Sequence, residues 1–277
     1  MNDQTFWADW PRDFVVARGP DALAYLDSQL SQDLKPLTVG GSVWSLLLQP
    51  AGRVDALLRV TRMADDEFVL DVDGGYGAAM LVRLDRFRIR VKVELELLPW
   101  RCVAVRGPDA VTAAAAAAPA GTSAVRSWWD GSEAVDLLGP DPQPPEGVAV
   151  ADRSRLDQAR IRAGWPAMGA ELTDRTIPAE TGPLLDVAVS FTKGCYPGQE
   201  LVERMDSRGA VAPRLLRRVH TSSGDLAADA AVIVDGAEVG VITSAAAADG
   251  LALVGRAIEA GTTAEAGGRA VEITALR

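Results

Sequence analysis

Short apolar runs interrupted by Gly, Pro and Asp recur along the chain, and their spacing predicts many strands and few helices. Phe14–Ala17 and Cys102–Val105 each run into Gly-Pro-Asp, which stops a strand and opens a helix. Beyond the first of these, Leu23, Leu26 and Leu30 fall on one face of a helix predicted over roughly residues 22–34. The helix after the second is alanine-rich and is expected to end before Pro119-Ala120-Gly121. Asp21 and Asp109 are placed to cap or charge-stabilise the two helix starts. Hairpins are expected next. Val43–Gln49 turns at Pro50-Ala51-Gly52 into Val54–Arg62, and Val125–Trp129 turns at Asp130-Gly131 into Glu133–Leu138. Between them, Val91–Leu97 alternates apolar and charged residues, as a strand with one wet face does.

Two matches point to an internal duplication. VVARGPDA at Val15–Ala22 returns as VAVRGPDA at Val103–Ala110, and RLDRFRIR at Arg83–Arg90 returns as RLDQARIR at Arg155–Arg162. The order is kept while the offset falls from 88 to 72 residues, so the second copy has shorter intervening segments. The expected architecture is α+β: a strand–helix–hairpin–helix unit used twice, with the RLD segments as the second helix of each. Gly139–Gly147 is Pro-rich and reads as a surface loop. After Pro213 come short strands at Leu215–Thr221, Ala231–Val234, Val239–Thr243, Leu251–Ala257 and Val271–Thr274, with a hairpin signal at Asp235-Gly236. They predict a small C-terminal β-barrel or sandwich. Three regions follow: 1–100, 101–208 and 209–277.

Composition narrows the functions. The chain has 277 residues, 48% of them apolar, enough for a sizeable core. No apolar run reaches the roughly 18 residues that cross a bilayer. Met1–Pro11 carries acids and two tryptophans in place of a basic, then apolar, leader, so a cytoplasmic location is expected. A net charge of −10 argues against nucleic acid as a direct ligand, and no membrane association is expected. Lys193–His220 runs against that background, with six Lys or Arg and three acids. With two cysteines and one histidine, a single chain cannot complete a four-ligand zinc site or a cluster held by four thiolates, and no metal site is expected. A Cys195–His220 dyad is neither supported nor forbidden by spacing.

The candidate chemistry lies at Lys193-Gly194-Cys195-Tyr196-Pro197-Gly198-Gln199-Glu200. Tyr196-Pro197-Gly198-Gln199 fits a type II turn, with Pro pre-set at the second position and Gly free to take positive φ at the third. Lys193 and Cys195 point to the same side of an extended backbone, and a nearby ammonium raises the thiolate fraction of a cysteine. Cys102, inside an apolar strand, is expected to be inert.

This segment, extended through Arg204, resembles the K-G-C-Y-x-G-Q-E signature of the YgfZ family, relatives of the glycine-cleavage T-protein, an aminomethyltransferase. Gly19–Ala22 through Asp33 is similar to the family's N-terminal segment. Arg160–Pro166, Gly169–Leu172 and Ile177–Glu180 are similar to its central one, and Gly240–Ser244 to its barrel signature. The resemblance covers nearly the whole chain. It implies a GcvT-like folate-binding region plus the barrel, arranged as a ring, with tetrahydrofolate near a central opening. It further implies a role in making or maintaining iron–sulfur enzymes, tRNA-modifying ones included, with those enzymes or assembly proteins as transient partners. By the same resemblance Cys195 and Lys193 carry the chemistry and Glu180 contacts the pterin. Tyr196, Gly198, Gln199 and Glu200 line the folate side, and Arg204 and Arg208 meet its glutamyl tail. Two departures matter. The T-protein's adjacent aspartates align with Ala56 and Leu57, Asp55 being one residue out of register, and Met168 replaces a folate-contacting tyrosine. A folate-dependent aminomethyl or methyl transferase and a non-catalytic folate-binding module are the alternatives, so whether the chain is an enzyme stays open.

Overall fold

The computed structural model describes residues 4–128, 133–207 and 212–276. Trp129 and the Asp130-Gly131 turn, Arg208 and the expected boundary at 208/209 lie outside the described residues. The chain divides into two compact units, Met1–Leu47 with Asp55–Leu156 and Val187–Pro197, and Leu48–Val54 with Asp157–Asp186 and Gly198–Arg277.

In chain order the first unit contains β1 (Phe6–Asp9), β2 (Arg12–Arg18), α1 (Ala22–Gln29), β3 (Ser42–Leu48), β4 (Val54–Ala64), β5 (Glu67–Asp73), α2 (Gly77–Asp85), β6 (Glu94–Leu98), β7 (Arg101–Arg106), α3 (Ala110–Ala116), β8 (Ser123–Arg126), β9 (Ala134–Gly139) and β10 (Ala149–Val150). Helix α4 (Arg153–Ala163) passes into the second unit at Asp157. The strands form two five-stranded sheets, ordered β3-β4-β5-β2-β6 and β10-β1-β7-β9-β8. Phe14–Ala17 of β2 are at most 1% exposed, as an apolar run covered on both faces should be.

The duplication is present in the backbone. Gly19 and Gly107 take φ of +133° and +113°, and the aspartates two residues on occupy the N-cap positions of α1 and α3. A Cβ on Gly19 would lie 2.2 Å from the Lys92 carbonyl oxygen, so only glycine fits. The capping expectation needs correcting, because neither aspartate side chain bonds its own helix. Asp21 Oδ2 instead accepts the Lys92 N–H at 2.7 Å and ties the loop before β6 to the start of α1.

The two copies exchange their leading strands. β1 pairs antiparallel with β7 (Phe6 opposite Arg106, Asp9 opposite Val103), and β6 pairs antiparallel with β2 (Glu94 opposite Arg18, Leu97 opposite Val15). Shifted by the 88-residue offset these are the same register, so the halves are related by pseudo-twofold symmetry with swapped arms. β5 pairs with β2 and β9 with β7, so β4–β5 is the counterpart of β8–β9. The expected equivalence of the Val43–Arg62 hairpin to the second-copy hairpin is therefore corrected: β3 is an addition to the first copy. The second RLD match lies wholly within α4, while the first leaves its helix after Asp85.

An ion-paired layer is buried among these apolar strands. Arg12 bonds Asp71 (2.7 Å) and Asp73 (2.5 Å), Arg59 bonds Asp71 (3.0 Å) and Asp136 (2.8 Å), and Arg106 pairs with Asp136 (2.9 Å). Trp10, Trp44 and Trp128 cover the guanidinium groups; the Arg106 carbon lies 4.2 Å from the Trp128 ring centroid. Asp71 belongs to the first copy and Asp136 to the second, so Arg59 joins the halves electrostatically.

The second unit carries a 3-10 turn at Pro178–Thr181 and α5 (Leu184–Ala188), which returns to the first unit at Val187. It continues with α6 (Gln199–Ser207) and β11 (Arg214–His220), β12 (Ala231–Val234), β13 (Ala237–Ala246), β14 (Asp249–Gly255), β15 (Thr263–Ala266) and β16 (Arg269–Thr274). The six strands close into a barrel ordered β11-β14-β13-β12-β15-β16, which leaves no free edge. Val219, Val232, Ile242, Val254, Val271 and Ile273 fill it. Asp235 (φ +51°) and Gly236 (φ +79°) form the expected two-residue turn. β15 escapes sequence reading because its inward residues are the small Ala264 and Ala266.

Candidate functional site

In the first unit the candidate residues Lys193, Cys195 and Tyr196 lie on residues 187–197, which are fastened to the end of α1. Ser31 Oγ donates to the Ala188 carbonyl (2.7 Å), Gln32 Nε2 to the Val187 carbonyl (2.9 Å), and the Ser190 N–H to the Ser31 carbonyl (2.9 Å). The Lys193 side chain is fully buried, and its Nζ reaches the carbonyl oxygens of Asp27 (2.6 Å), Leu30 (2.8 Å) and Gln32 (2.9 Å), with Asp27 Oδ1 at 3.2 Å. The last carbonyls of a helix have no intrahelical donor and form its negative end, so an ammonium there satisfies both deficits. Burial lowers the Lys193 pKa from its ordinary value, an effect the Asp27 carboxylate opposes. Burial likewise disfavours the charge on Asp27, but the Leu34 N–H and the Lys193 ammonium outweigh it and hold that carboxyl below its usual range.

Tyr196 is the second anchor. It is buried, with its ring centroid 5.6 Å from Lys193 Nζ. Gly194 and Cys195, between the two anchors, are exposed. The thiol is thus presented on a short strap pinned on both sides. The lysine expected to act on the thiol has its ammonium committed to the end of α1. Cys102 is buried as expected, and burial pushes its thiol well above the ordinary pKa, the Asp136 charge adding to the effect.

The positions that the resemblance matches to the T-protein's paired aspartates are apolar and buried. Ala56 and Leu57 are 2% and 3% exposed on β4, and Asp55 pairs with Arg83 at 3.1 Å.

In the second unit, Gly198 (φ +84°) approaches the 48–54 turn so closely that a Cβ would lie 2.6 Å from the Gln49 carbonyl oxygen. The same turn is held by the Val54 N–H donating to the Thr176 carbonyl at 2.9 Å. Gln199 and Glu200 open α6; Glu200 is exposed and accepts from Arg204 at 2.5 Å, an i,i+4 surface pair of small energetic weight. Glu180 is 2% exposed, which excludes a solvated loop carboxylate. Its Oε1 accepts Arg214 Nε (2.9 Å), and its Oε2 accepts Arg214 Nη2 (3.4 Å) and the Ile177 N–H (3.3 Å). His220 Nδ1 is paired with Asp249 Oδ1 at 2.8 Å. Arg208 lies outside the described residues.

Sequence reading missed Asp27, Ser31, Gln32 and Arg214. Asp27 was detectable as an acid inside the apolar helix Ala22–Gln29, and Arg214 was one of several cations with nothing to mark it. Among the described residues, no group of three or more His, Cys, Asp and Glu is placed to hold a metal ion, and no helix is long and apolar enough to cross a membrane.

Residues 14–128 match the GCVT N-terminal domain. The chain is 27% identical over 197 residues to an uncharacterized protein of Haemophilus influenzae, covering 71% of this chain and 66% of that one. It is 26% identical over 260 residues to the mitochondrial iron-sulfur cluster assembly factor IBA57 homolog of Chaetomium globosum, covering 83% of this chain and 59% of that one. It thus spans somewhat less than two thirds of each relative. The crystal structure of glycine cleavage system aminomethyltransferase T from Bartonella henselae superposes with a TM-score of 0.81 at 20% identity, covering 99% of this chain and 86% of that one. The fold is therefore GcvT-like, α+β with a closed six-stranded C-terminal barrel.

Proposed function

We propose that this chain is a tetrahydrofolate-binding accessory protein of the YgfZ type, serving iron–sulfur cluster assembly or repair in target enzymes, tRNA-modifying ones among them, through Cys195. The observation that carries the proposal is the exposed thiol on a doubly anchored strap, in a chain whose other cysteine is buried. A cluster has more ligand positions than one chain has free thiols, so a partner protein supplies the remainder. In this reading Cys195 touches the cluster-derived species, and Lys193 is a positioning residue. The match to the fungal assembly factor points the same way. The cytoplasmic location read from the sequence belongs to this proposal as well.

The donor set of the second unit suits a pterin. Glu180 offers a desolvated carboxylate, of whose roughly four acceptor positions three are taken. Arg214 is 45% exposed at its side chain, so a pterin's N–H donors can displace it. Gly198, Gln199, Glu200 and Arg204 of the same unit complete the folate contacts of the proposal. The transferase alternative is disfavoured by Asp55, which is engaged with Arg83 and sits next to buried Ala56 and Leu57.

Three experiments test the reading. A deletion strain carrying Cys195→Ala should fail to recover iron–sulfur enzyme activity; full recovery sinks the role of the thiol. Calorimetric titration with tetrahydrofolate should show saturable heat, and a flat titration removes folate. Release of formaldehyde or ammonia from an aminomethyl donor would instead restore the transferase.

A further inference from the structure

A basic and apolar ledge at residues 82–92 of the first unit is used by none of the chemistry above. Asp85 to Arg90 are six consecutive exposed residues. Val82 is 69% exposed, Phe87 37% and Ile89 71%, so this short stretch holds three of the eight large apolar side chains that the described residues expose. Apolar exposure concentrated in this way marks an interaction surface rather than ordinary surface scatter. Within the segment Arg83, Arg86, Arg88, Arg90 and Lys92 stand against the single acid Asp85, with Asp55 and Asp21 held beside it from outside the segment, on a chain whose net charge is −10. Arg83 is paired with Asp55 and Arg88 with Asp85, whereas Arg86, Arg90 and Lys92 make no ion pair among the described residues.

The ledge is also pre-shaped. Arg88 Nη1 donates to the Val93 carbonyl at 2.9 Å, and the Lys92 N–H donates to Asp21 Oδ2 at 2.7 Å. Arg90, between these ties, holds φ at +57°, a left-handed conformation unusual for a residue with a side chain. A loop already fixed in shape loses little entropy when something binds it.

We propose that residues 82–92 are a docking surface for a partner protein presenting an acidic segment interleaved with apolar side chains. An apolar centre with a cationic rim is complementary to such a segment. Nucleic acid fits less well. The Phe87 ring already carries the Arg83 guanidinium at 4.1 Å, which takes the face a base would stack on. The proposal does not depend on the folate reading, and tetrahydrofolate titration of the same variants keeps the two apart.

The test uses the full chain and a short fluorescein-labelled peptide of alternating Glu and Leu, with a Glu/Gly peptide of equal charge and a Lys/Leu peptide as controls. The Glu/Leu peptide should raise the anisotropy saturably, the Glu/Gly peptide should bind more weakly, and the Lys/Leu peptide should not bind. Arg86→Glu with Arg90→Glu should weaken the first interaction by about tenfold or more, and Ile89→Ser by several-fold. These positions are exposed, so circular dichroism of the variants should match wild type. Equal binding of the Glu/Leu and Glu/Gly peptides, or binding indifferent to the substitutions, overturns the proposal. So does loss of tRNA or phosphatidylserine-vesicle binding in the variants without peptide binding by wild type. Dissociation of a homodimer by Arg86→Glu with Arg90→Glu assigns the ledge to a second copy and overturns it too.

Discussion

Lys193 Nζ lies 3.2 Å from Asp27 Oδ1 and 2.6 Å from the carbonyl oxygen of the same residue, although 166 positions separate the two in sequence. The ammonium therefore closes the open end of α1 and fixes the strap that presents Cys195. A lysine next to a cysteine in sequence invites a reading as its activator. Here the nearby cation is bonded to the end of α1, and the thiol is exposed at the surface.

Lys193→Met should destabilise the fold by about 3 kcal/mol, since it leaves helix-end carbonyls without a donor and the Asp27 carboxylate with only the exposed Lys35 at 3.6 Å as its cation. Urea unfolding checks the cost. The rate of Cys195 alkylation in the native protein checks the positioning role and should change as the strap loosens. An unchanged rate together with unchanged stability rules that role out.

Arg59→Leu should cost about 3–5 kcal/mol, because Asp71 and Asp136 are buried without exposure and lose a shared partner. In a double-mutant cycle with Asp136→Asn the two penalties should fall well short of adding, as expected for groups within one network. Additive penalties would mean that Arg59 does not couple the halves.

The duplicated unit was legible because Gly-Pro-Asp imposes a local geometry wherever it occurs, and Gly19 and Gly107 adopt it alike. The closed barrel was legible from short strands and from Asp235-Gly236. The exchange of β1 and β6 was not, because Phe6–Asp9 is only four residues long and its pairing with Val103–Arg106 depends on contacts distant in sequence. Arg59 was visible as a charge inside the apolar run Ala56–Val60, but its partners Asp71 and Asp136 come from different strands. The thiol's exposure was readable from its Gly- and Pro-rich surroundings, whereas the acceptors of Lys193 lie on α1 and just beyond it.

The two thiols should differ sharply in reactivity. In native protein one thiol per chain should react promptly with an aromatic disulfide reagent, and in denaturant two should. Cys195→Ala should abolish the prompt phase. Cys102, buried and with its thiol pKa raised by desolvation, should react only as fast as the protein opens. A prompt phase surviving in Cys195→Ala would refute the assignment.

Acid should loosen the strap through Asp27. Its folded pKa lies below the ordinary value of about 3.9, so its contribution to stability is fully present above that value. The contribution is lost as pH falls through the lower, folded pKa. Between pH 7 and pH 3 wild type should therefore lose more stability than Asp27→Asn, as measured by urea midpoints. Parallel pH profiles would show that Asp27 carries no such linkage.

Glu180 and Arg214 should respond asymmetrically. Arg214→Ala leaves a buried carboxylate with, among the described residues, only the Ile177 N–H, and should cost about 2–4 kcal/mol. Glu180→Gln instead releases an arginine whose side chain is 45% exposed and can be hydrated, so its cost should stay near 1 kcal/mol. If Glu180 accepts from a pterin, tetrahydrofolate affinity should follow the opposite order, since the amide replaces one acceptor with a donor. Glu180→Gln should then weaken binding by about tenfold, the loss of a hydrogen bond to a charged group. Arg214→Ala, once allowance is made for its unfolded fraction, should bind at least as well as wild type, because the cation that competes for Glu180 is gone. Thermal melts paired with calorimetry on both variants separate the two rankings. If both variants lose stability and affinity in proportion, Glu180 is a structural carboxylate and the pterin contact lies elsewhere.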